Sequence, residues 1–155
     1  MAKRALVLFG NQLFPDAALA PFKQHRVFMA EDLGLCTYFR FHQHKIVLFL
    51  AAMRQRRAEL ERSGFSVHYH ELSDDGLSYE DRLARWIKAE QIETIEFFEI
   101  EDRPVEATIK AMLARLGCRV VWHRSPMFLT SREAFAEYLA GVKKPCLLYT
   151  SDAAD

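Results

Sequence analysis

The chain has 155 residues, of which 50% are hydrophobic and 27% are charged, a balance typical of folded proteins and unlike that of disordered ones. This length suits one globular domain and excludes two large ones. The 21 basic residues equal the 21 acidic ones, so the chain lacks the positive field of a free-standing nucleic-acid binder. The three cysteines form no CxxC motif, which favours a reducing cytoplasm.

Short β-rich runs alternate with longer helical patterns along the chain, which indicates a parallel α/β sheet. The predicted strands are 5–9, 26–30, 66–71, 94–99 and 119–123, and the predicted helices are 41–63, 78–90, 104–116 and 131–142. The connection 13–24 contains two prolines and has room for little more than a turn or a short helix. The longest apolar run has eight residues, 46–53, which excludes a bilayer span and a membrane partner.

Apolar residues occupy both sides of the helix predicted over 41–63. One stripe at helical spacing comprises Ile46, Phe49, Leu50, Met53 and Leu60, and the opposite side carries Val47, Leu48, Ala51 and Ala52. A helix that is apolar all round is buried on both sides. In a domain of this size the sheet would cover one side of the helix, and nothing else in the domain would cover the other. We therefore expect the second face to pack on another domain or to mediate self-association.

Polar residues directly follow the first predicted strand. Ligands of open α/β sheets bind beyond the carboxyl ends of the strands, where the strand order reverses. Gly10 allows a tight turn there, and the amides of Asn11 and Gln12 would hold the edge of a heterocycle. The alternative is a capped turn in which these amides satisfy local backbone groups. The chain contains neither GxGxxG nor GxxxxGK[ST], which excludes a dinucleotide fingerprint and a P-loop.

Acidic residues follow the second and fourth predicted strands. Glu31 and Asp32 end one, and Glu99, Glu101 and Asp102 follow the other. Such carboxylates accept hydrogen bonds from a ligand, bind a hard cation or act as general bases. The alternative for Asp102 is a cap on the helix that opens at Pro104, whereas no helix is predicted directly after Glu31. No catalytic residue is identified by any motif.

Two histidines lie on one face of the third predicted strand. His68 and His70 are two positions apart, so their side chains point the same way. They would supply two metal ligands, but a third ligand is not identifiable. A solvated face is the simpler interpretation, and it makes this strand an edge or half-exposed strand.

A series of segments in order resembles one family over about residues 4 to 145. The segments are ALVLFGNQLFPD, VFMAEDLGLCTYFRFHQHKIVLFLAAMR, GFSVHYHEL, SYEDRL, FFEIEDRPVEATI and MFLTSREAFAEYLAGVKKP. They are similar to the N-terminal domain of cryptochrome/photolyase-related proteins, the iron–sulfur group of bacterial cryptochromes and prokaryotic (6-4) photolyases.

The resemblance implies an α/β, Rossmann-like fold with a five-stranded parallel sheet of order 3-2-1-4-5 and helices on both faces. It also implies a cleft for an antenna chromophore, 6,7-dimethyl-8-ribityllumazine. In the family, FAD and a cysteine-held [4Fe-4S] cluster belong to a C-terminal helical domain, so Cys36, Cys118 and Cys146 are not the cluster ligands. That domain would be the partner in cis, and damaged DNA would bind only through the full-length protein.

Some positions of this sequence match the family's pattern, and others depart from it. Asn11 stands where relatives often have aspartate, Glu31 occupies the acidic position after the second strand, and Ala30 stands where some relatives have cysteine beside the chromophore. The complete set of expected cofactor-binding residues is Gly10, Asn11, Gln12, Glu31, Asp32, Glu99 and Asp102.

The resemblance also predicts the domain boundaries. Residues 1–145 are expected to form the antenna-binding domain, and 146–155 are expected to be a non-native tail on a truncated gene product. The predicted function is the antenna domain of a light-dependent DNA-repair enzyme. The alternatives are the same domain of a cryptochrome-like blue-light sensor, or a stand-alone nucleotide- or flavin-binding module.

Overall fold

A five-stranded parallel sheet organises the longer part of the chain. In chain order, its strands are β1 (Arg4–Val7), β2 (Arg26–Ala30), β3 (Ser66–His70), β4 (Thr94–Phe98) and β5 (Arg119–His123). Their spatial order is β3-β2-β1-β4-β5, and all neighbouring pairs are parallel. The predicted fold class and strand order are therefore confirmed.

The computed structural model describes residues 3–142, except for the side chain of Leu35. The chain divides into two compact units, one ending at Arg124 and the other beginning at Ser125. The second unit contains one described helix, α6 (Arg132–Gly141), which Ser131 caps by accepting a hydrogen bond from the Ala134 N–H at 3.1 Å. The predicted boundary at 145 and the predicted tail 146–155 lie outside the described residues.

Five further α-helices belong to the first unit. They are α1 (Asp16–Leu19), which runs into a 3-10 helix (Ala20–Phe22), α2 (Leu33–Thr37), α3 (Gln43–Arg62), α4 (Tyr79–Glu90) and α5 (Arg103–Leu116). The prediction of a short helix at most between β1 and β2 is confirmed.

The prediction that no helix follows Glu31 is wrong, because α2 begins two residues later. The Asp32 carboxylate accepts the Gly34 N–H at 3.2 Å, and the Asp32 carbonyl accepts the Cys36 N–H at 3.2 Å. A five-residue helix is too short to show helical periodicity in the sequence, which explains the error.

Helices cover both faces of the sheet, as predicted. On one face, α4 and α5 pack side chains such as Trp86 and Leu113 against Phe28 and Phe97 of the sheet. On the other, the α1 region and the end of α3 pack against the opposite side chains, with Leu60 and Phe22 in that layer. Strands buried on both faces have near-continuous apolar sequences, as in β1.

One buried carboxylate interrupts the second apolar layer. Glu96 on β4 is 1% exposed and accepts hydrogen bonds from Arg4 Nε at 2.8 Å, His25 Nε2 at 2.9 Å and His123 Nε2 at 2.7 Å. Burial opposes its ionisation, but these donors outweigh the burial and hold the pKa of Glu96 below its ordinary value. The charge is therefore compensated inside the layer.

The edge position predicted for β3 is confirmed, but its histidine face is not simply solvated. The His68 ring stacks between Phe28 and Trp86, with centroid distances of 5.7 and 5.5 Å. His70 Nε2 accepts a hydrogen bond from Arg82 Nη1 at 2.6 Å. Side chains of α4 therefore cover this face. Within residues 3–142, no group of three or more His, Cys, Asp or Glu is arranged to hold a metal ion.

The N-terminal half of α3 leaves an apolar surface uncovered. Val47 is 64% exposed and Leu48 is 71% exposed, as the all-round apolar pattern predicts. None of the helices described here is long and apolar enough to span a membrane.

Candidate functional site

The carboxyl ends of β1 and β4 are joined by a buried amide. Gln12 is fully buried, and its Nε2 donates to the Glu99 carbonyl at 3.0 Å. Its own N–H donates to the Phe9 carbonyl at 2.8 Å, and its Oε1 lies 3.5 Å from the Phe9 nitrogen. The Gln12 amide thus satisfies backbone groups, as the alternative interpretation proposed.

Gly10 is required by close packing rather than by backbone freedom. A Cβ at this position would lie 2.6 Å from Phe49 Cε1 and 2.8 Å from Met53 Sδ on α3. The glycines with positive φ among the described residues are Gly64, Gly76 and Gly117. The expected tight turn is present, since the Gln12 N–H bonds the Phe9 carbonyl across it, but Gly10 does not adopt a positive φ in this turn. Its missing side chain instead lets α3 approach the end of β1.

The polar residues after β4 also have local partners. Asn11 Nδ2 donates to Glu101 Oε2 at 3.3 Å, and the Glu99 N–H donates to the His123 carbonyl at 2.8 Å. The Asp102 carboxylate accepts the Val105 N–H at 3.0 Å and caps α5, which confirms the alternative given for that residue. These contacts hold together the β1 and β4 side of the sheet's carboxyl edge.

Glu31, at the end of β2, joins three elements. Arg54 of α3 binds both of its carboxylate oxygens, at 2.7 and 2.9 Å. The Tyr69 hydroxyl on β3 donates at 2.6 Å, and the Leu72 N–H after β3 donates at 2.8 Å. The carboxylate is 2% exposed and is saturated by these four hydrogen bonds.

The electrostatics of Glu31 follow from these contacts. Burial opposes its ionisation, but the hydrogen bonds from Arg54, Tyr69 and Leu72 outweigh burial and lower its pKa. Burial and the bond to Glu31 raise the pKa of the Tyr69 hydroxyl, which stays protonated as the donor. Glu31 thus has a structural role: it joins α3, β3 and the loop after β3 at the carboxyl edge of the sheet.

An open cavity lies on the other side of this edge, beyond β2 and β3. Its volume is about 460 Å³, and its walls are the start of α2, the loop after β3 and the first turn of α4. Asp32 is the member of the predicted site set that lines it. The polar side chains lining it include Asp32, Thr37, Ser73, Asp74, Ser78, Tyr79 and Glu80.

Tyr79 is one of the residues that line this cavity, and its hydroxyl is buried beneath the cavity surface. Its ring stacks on Phe9 with a centroid distance of 5.2 Å, and its buried hydroxyl oxygen has no hydrogen-bond partner among the described residues. Burial, followed by the Asp32 and Glu80 carboxylates, raises its pKa, so the group is a neutral phenol. A buried polar group without a partner costs about 1–3 kcal/mol.

The loop that forms one wall is fixed by an ion pair. Both guanidinium Nη atoms of Arg82 bind the Asp75 carboxylate, one of them at 2.9 Å. The bond from Arg82, with a further one from the Leu77 N–H, lowers the pKa of Asp75 to about 2. The ion pair therefore joins this loop to α4.

Comparison with known proteins identifies the family. Residues 6–149 match the family described as deoxyribodipyrimidine photo-lyase-related protein. The chain belongs to this family. No curated protein matches the sequence. A solved structure of a universal stress protein family member from Burkholderia pseudomallei is 18% identical, with a TM-score of 0.43, over 78% of this chain and 95% of that one.

The photolyase-related chain has a second, smaller cavity between α5 and β5. It measures about 350 Å³ and is lined by Lys110, Cys118 and Trp122 together with apolar residues. The Lys110 ammonium is paired with Glu106 at 2.5 Å and lies 5.3 Å from the Trp122 ring centroid. None of the predicted site residues lines it. The larger cavity, which Asp32 of the predicted set lines, is therefore the better candidate site of this family member.

Sequence reasoning missed Tyr79 as a site residue. The position directly follows the cap Ser78, whose hydroxyl accepts the Asp81 N–H at 3.1 Å, and an aromatic residue there is also typical of a core contact. An available signal was the position of α4, which follows a strand and places its first turn at the carboxyl edge of the sheet.

Proposed function

We propose that this photolyase-related chain is an N-terminal antenna domain that binds 6,7-dimethyl-8-ribityllumazine in the cavity beyond β2 and β3. The observation that carries the proposal is the open cavity itself, which lies at the carboxyl edge of the sheet, where ligands of such sheets bind. Family membership supports the class of ligand, because the resemblance to cryptochrome/photolyase-related proteins implies a cleft for an antenna chromophore. The volume of about 460 Å³ lies within the range of about 300–1,000 Å³ common for small-molecule sites.

The residues of the cavity suit a polar heterocycle with a hydroxylated side chain. The Tyr79 hydroxyl would donate to a ring carbonyl or nitrogen, and the Asp32 carboxylate would accept from a ring N–H or a hydroxyl. When bound, the lumazine would absorb light and pass the excitation to a flavin. The residues Gly10, Asn11, Gln12, Glu31, Glu99 and Asp102 would act indirectly, by holding the edge on which the cavity is built.

The partners of this domain are proposed on the same basis. The exposed Val47 and Leu48 face of α3 would pack against a C-terminal helical domain carrying FAD and [4Fe-4S], or against a second copy when that domain is absent. Damaged DNA would bind through the complete protein, in the cytoplasm. A repair enzyme and a blue-light sensor would use the antenna domain in the same way.

Titration of the purified chain with 6,7-dimethyl-8-ribityllumazine tests the proposal. We expect a shifted absorption band that co-elutes with the protein. The variant Tyr79→Phe removes the hydroxyl but keeps the ring, so its affinity should fall about 2- to 10-fold, the value of one hydrogen bond. The matched control Tyr138→Phe removes a hydroxyl that does not line the cavity, and it should bind as the wild type does.

Two results would contradict the proposal. An unshifted band without co-elution in the wild type would remove the antenna assignment. Equal affinity of the wild type and Tyr79→Phe would show that the ligand does not use this hydroxyl and would place it elsewhere.

A further inference from the structure

The charged groups that line the candidate cavity all have one sign. Asp32, Asp74 and Glu80 contribute carboxylates, and the lining residues include no lysine, arginine or histidine. Arg82 of α4, whose Nη atoms bind Asp75 and His70, is not among the lining residues. The cavity therefore presents negative charge to whatever enters it.

Two helix N-termini also reach the cavity, and such termini commonly bind phosphate. Here the protein's own groups occupy them. The Asp32 carboxylate accepts the Gly34 N–H at the start of α2, and the Ser78 hydroxyl accepts the Asp81 N–H at the start of α4. Glu80 and Asp81 lie in the first turn of α4, where their charges offset the helix dipole. The positive ends of both helices are thus already neutralised.

We propose that this cavity selects ligands without phosphate: a neutral heterocycle carrying a hydroxylated chain, in preference to the same molecule esterified with phosphate. The inference rests on the proposed ligand-binding function and on the negative charge of the residues that line the cavity. A phosphate monoester adds a charge of about −1.5 to −2 at neutral pH, which three carboxylates repel and no lining cation offsets. The hydroxyls of an unphosphorylated chain instead donate hydrogen bonds to the same carboxylates.

The test compares two ligands that differ only in phosphate. The dissociation constants of 6,7-dimethyl-8-ribityllumazine and of its 5′-phosphate are measured by titration in low salt and in about 1 M salt. We expect the phosphate ester to bind at least about 10-fold more weakly in low salt. The ratio should decrease in high salt, because salt screens partly exposed charges.

Variants that remove charge test whether the carboxylates of the cavity cause the selectivity against phosphate. Asp74→Asn with Glu80→Gln should reduce the ratio of the two constants several-fold, mainly by improving the binding of the phosphate ester. The control Glu71→Gln with Glu93→Gln removes the same total charge from carboxylates that do not line the cavity, and it should leave the ratio unchanged.

The outcomes separate this inference from the proposed function. Binding of both ligands with equal affinity would overturn the inference alone. A ratio unaffected by salt and by Asp74→Asn with Glu80→Gln would also overturn it, since the selection would then be steric. Failure of both ligands to bind would overturn the proposed function and, with it, the inference.

Discussion

The two halves of the sheet's carboxyl edge use similar residues for different purposes. Beyond β1 and β4, the Gln12 amide, Asn11 and Asp102 form hydrogen bonds within the protein. Beyond β2 and β3, the chain leaves a cavity of about 460 Å³ and the unpaired Tyr79 hydroxyl. Polar residues at strand ends therefore do not mark a ligand site by themselves; an open cavity at the same edge of the sheet is the better sign.

This comparison predicts that variants at the two halves will separate stability from binding. Glu31 stands between them, and its loss should have the largest effect. Glu31→Ala leaves the Tyr69 hydroxyl and the Leu72 N–H without an acceptor, so we expect a loss of about 2–4 kcal/mol in the free energy of unfolding. Urea denaturation measures it. Glu71→Ala, an exposed control, should change stability by less than about 0.5 kcal/mol.

The contribution of Glu31 should also depend on pH. Its pKa is lower in the folded chain than the ordinary value of 4.5, so its stabilisation is complete above pH 4.5 and is lost as the pH falls through the folded pKa. The stability difference between the wild type and Glu31→Ala should therefore narrow in acid. A difference that stays constant down to pH 2 would contradict an ionised Glu31.

Gly10→Ala should have the next largest effect, on the closed half of the edge. The added Cβ would meet Phe49 and Met53 at 2.6 and 2.8 Å, and such overpacking costs about 1–3 kcal/mol. Gly141→Ala, where no atom lies within 4 Å of the added Cβ, should cost nothing. Combining Gly10→Ala with Phe49→Ala should cost less than the two single losses together; simple additivity would rule out the steric explanation.

Gln12→Leu tests whether the half of the edge beyond β1 and β4 contributes to stability but not to ligand binding. Leucine has a similar size but cannot donate the hydrogen bond that the Gln12 amide gives to the Glu99 carbonyl, so we expect a loss of about 1–2 kcal/mol in thermal or urea unfolding. The affinity for 6,7-dimethyl-8-ribityllumazine should remain within about twofold of the wild type. A large loss of affinity in the folded variant would show that the two halves act as one site.

Tyr79→Phe should have the smallest effect on stability and the opposite sign. Removing a buried hydroxyl without a partner should raise the free energy of unfolding of the free protein by about 1 kcal/mol or less, while ligand binding weakens. Differential scanning calorimetry with and without ligand measures both changes. Destabilisation of the ligand-free protein would indicate that the hydroxyl has a partner within the fold.

The sequence predicted the sheet because apolar runs and helical patterns alternate, and these are local properties. It placed the end of β1 at residue 9, yet the strand ends at Val7: the Leu8 N–H still reaches the Phe28 carbonyl, whereas the Phe9 nitrogen lies beside the Gln12 side chain. The apolar pattern outlasts the strand pairing there. The hydrophobic pattern alone cannot show that strand pairing ends at Val7 while the apolar run continues to residue 9.

The candidate site was harder to predict because its chemistry depends on distant partners. Glu31 was assigned to a ligand, but Arg54 and Tyr69, 23 and 38 residues away, use its oxygens. Asp32 was predicted and does line the cavity. Tyr79 was missed because a sequence shows which groups are polar and does not show which of them remain without a partner after folding.

The Glu96 cluster has a consequence for how the sheet assembles. Its donors Arg4, His25 and His123 are 92, 71 and 27 residues away in the chain, and they lie on or beside three other strands. A partly formed sheet would bury this carboxylate with some of its partners missing, which is strongly unfavourable. The cluster therefore penalises intermediates and makes assembly of the five strands more nearly all-or-none.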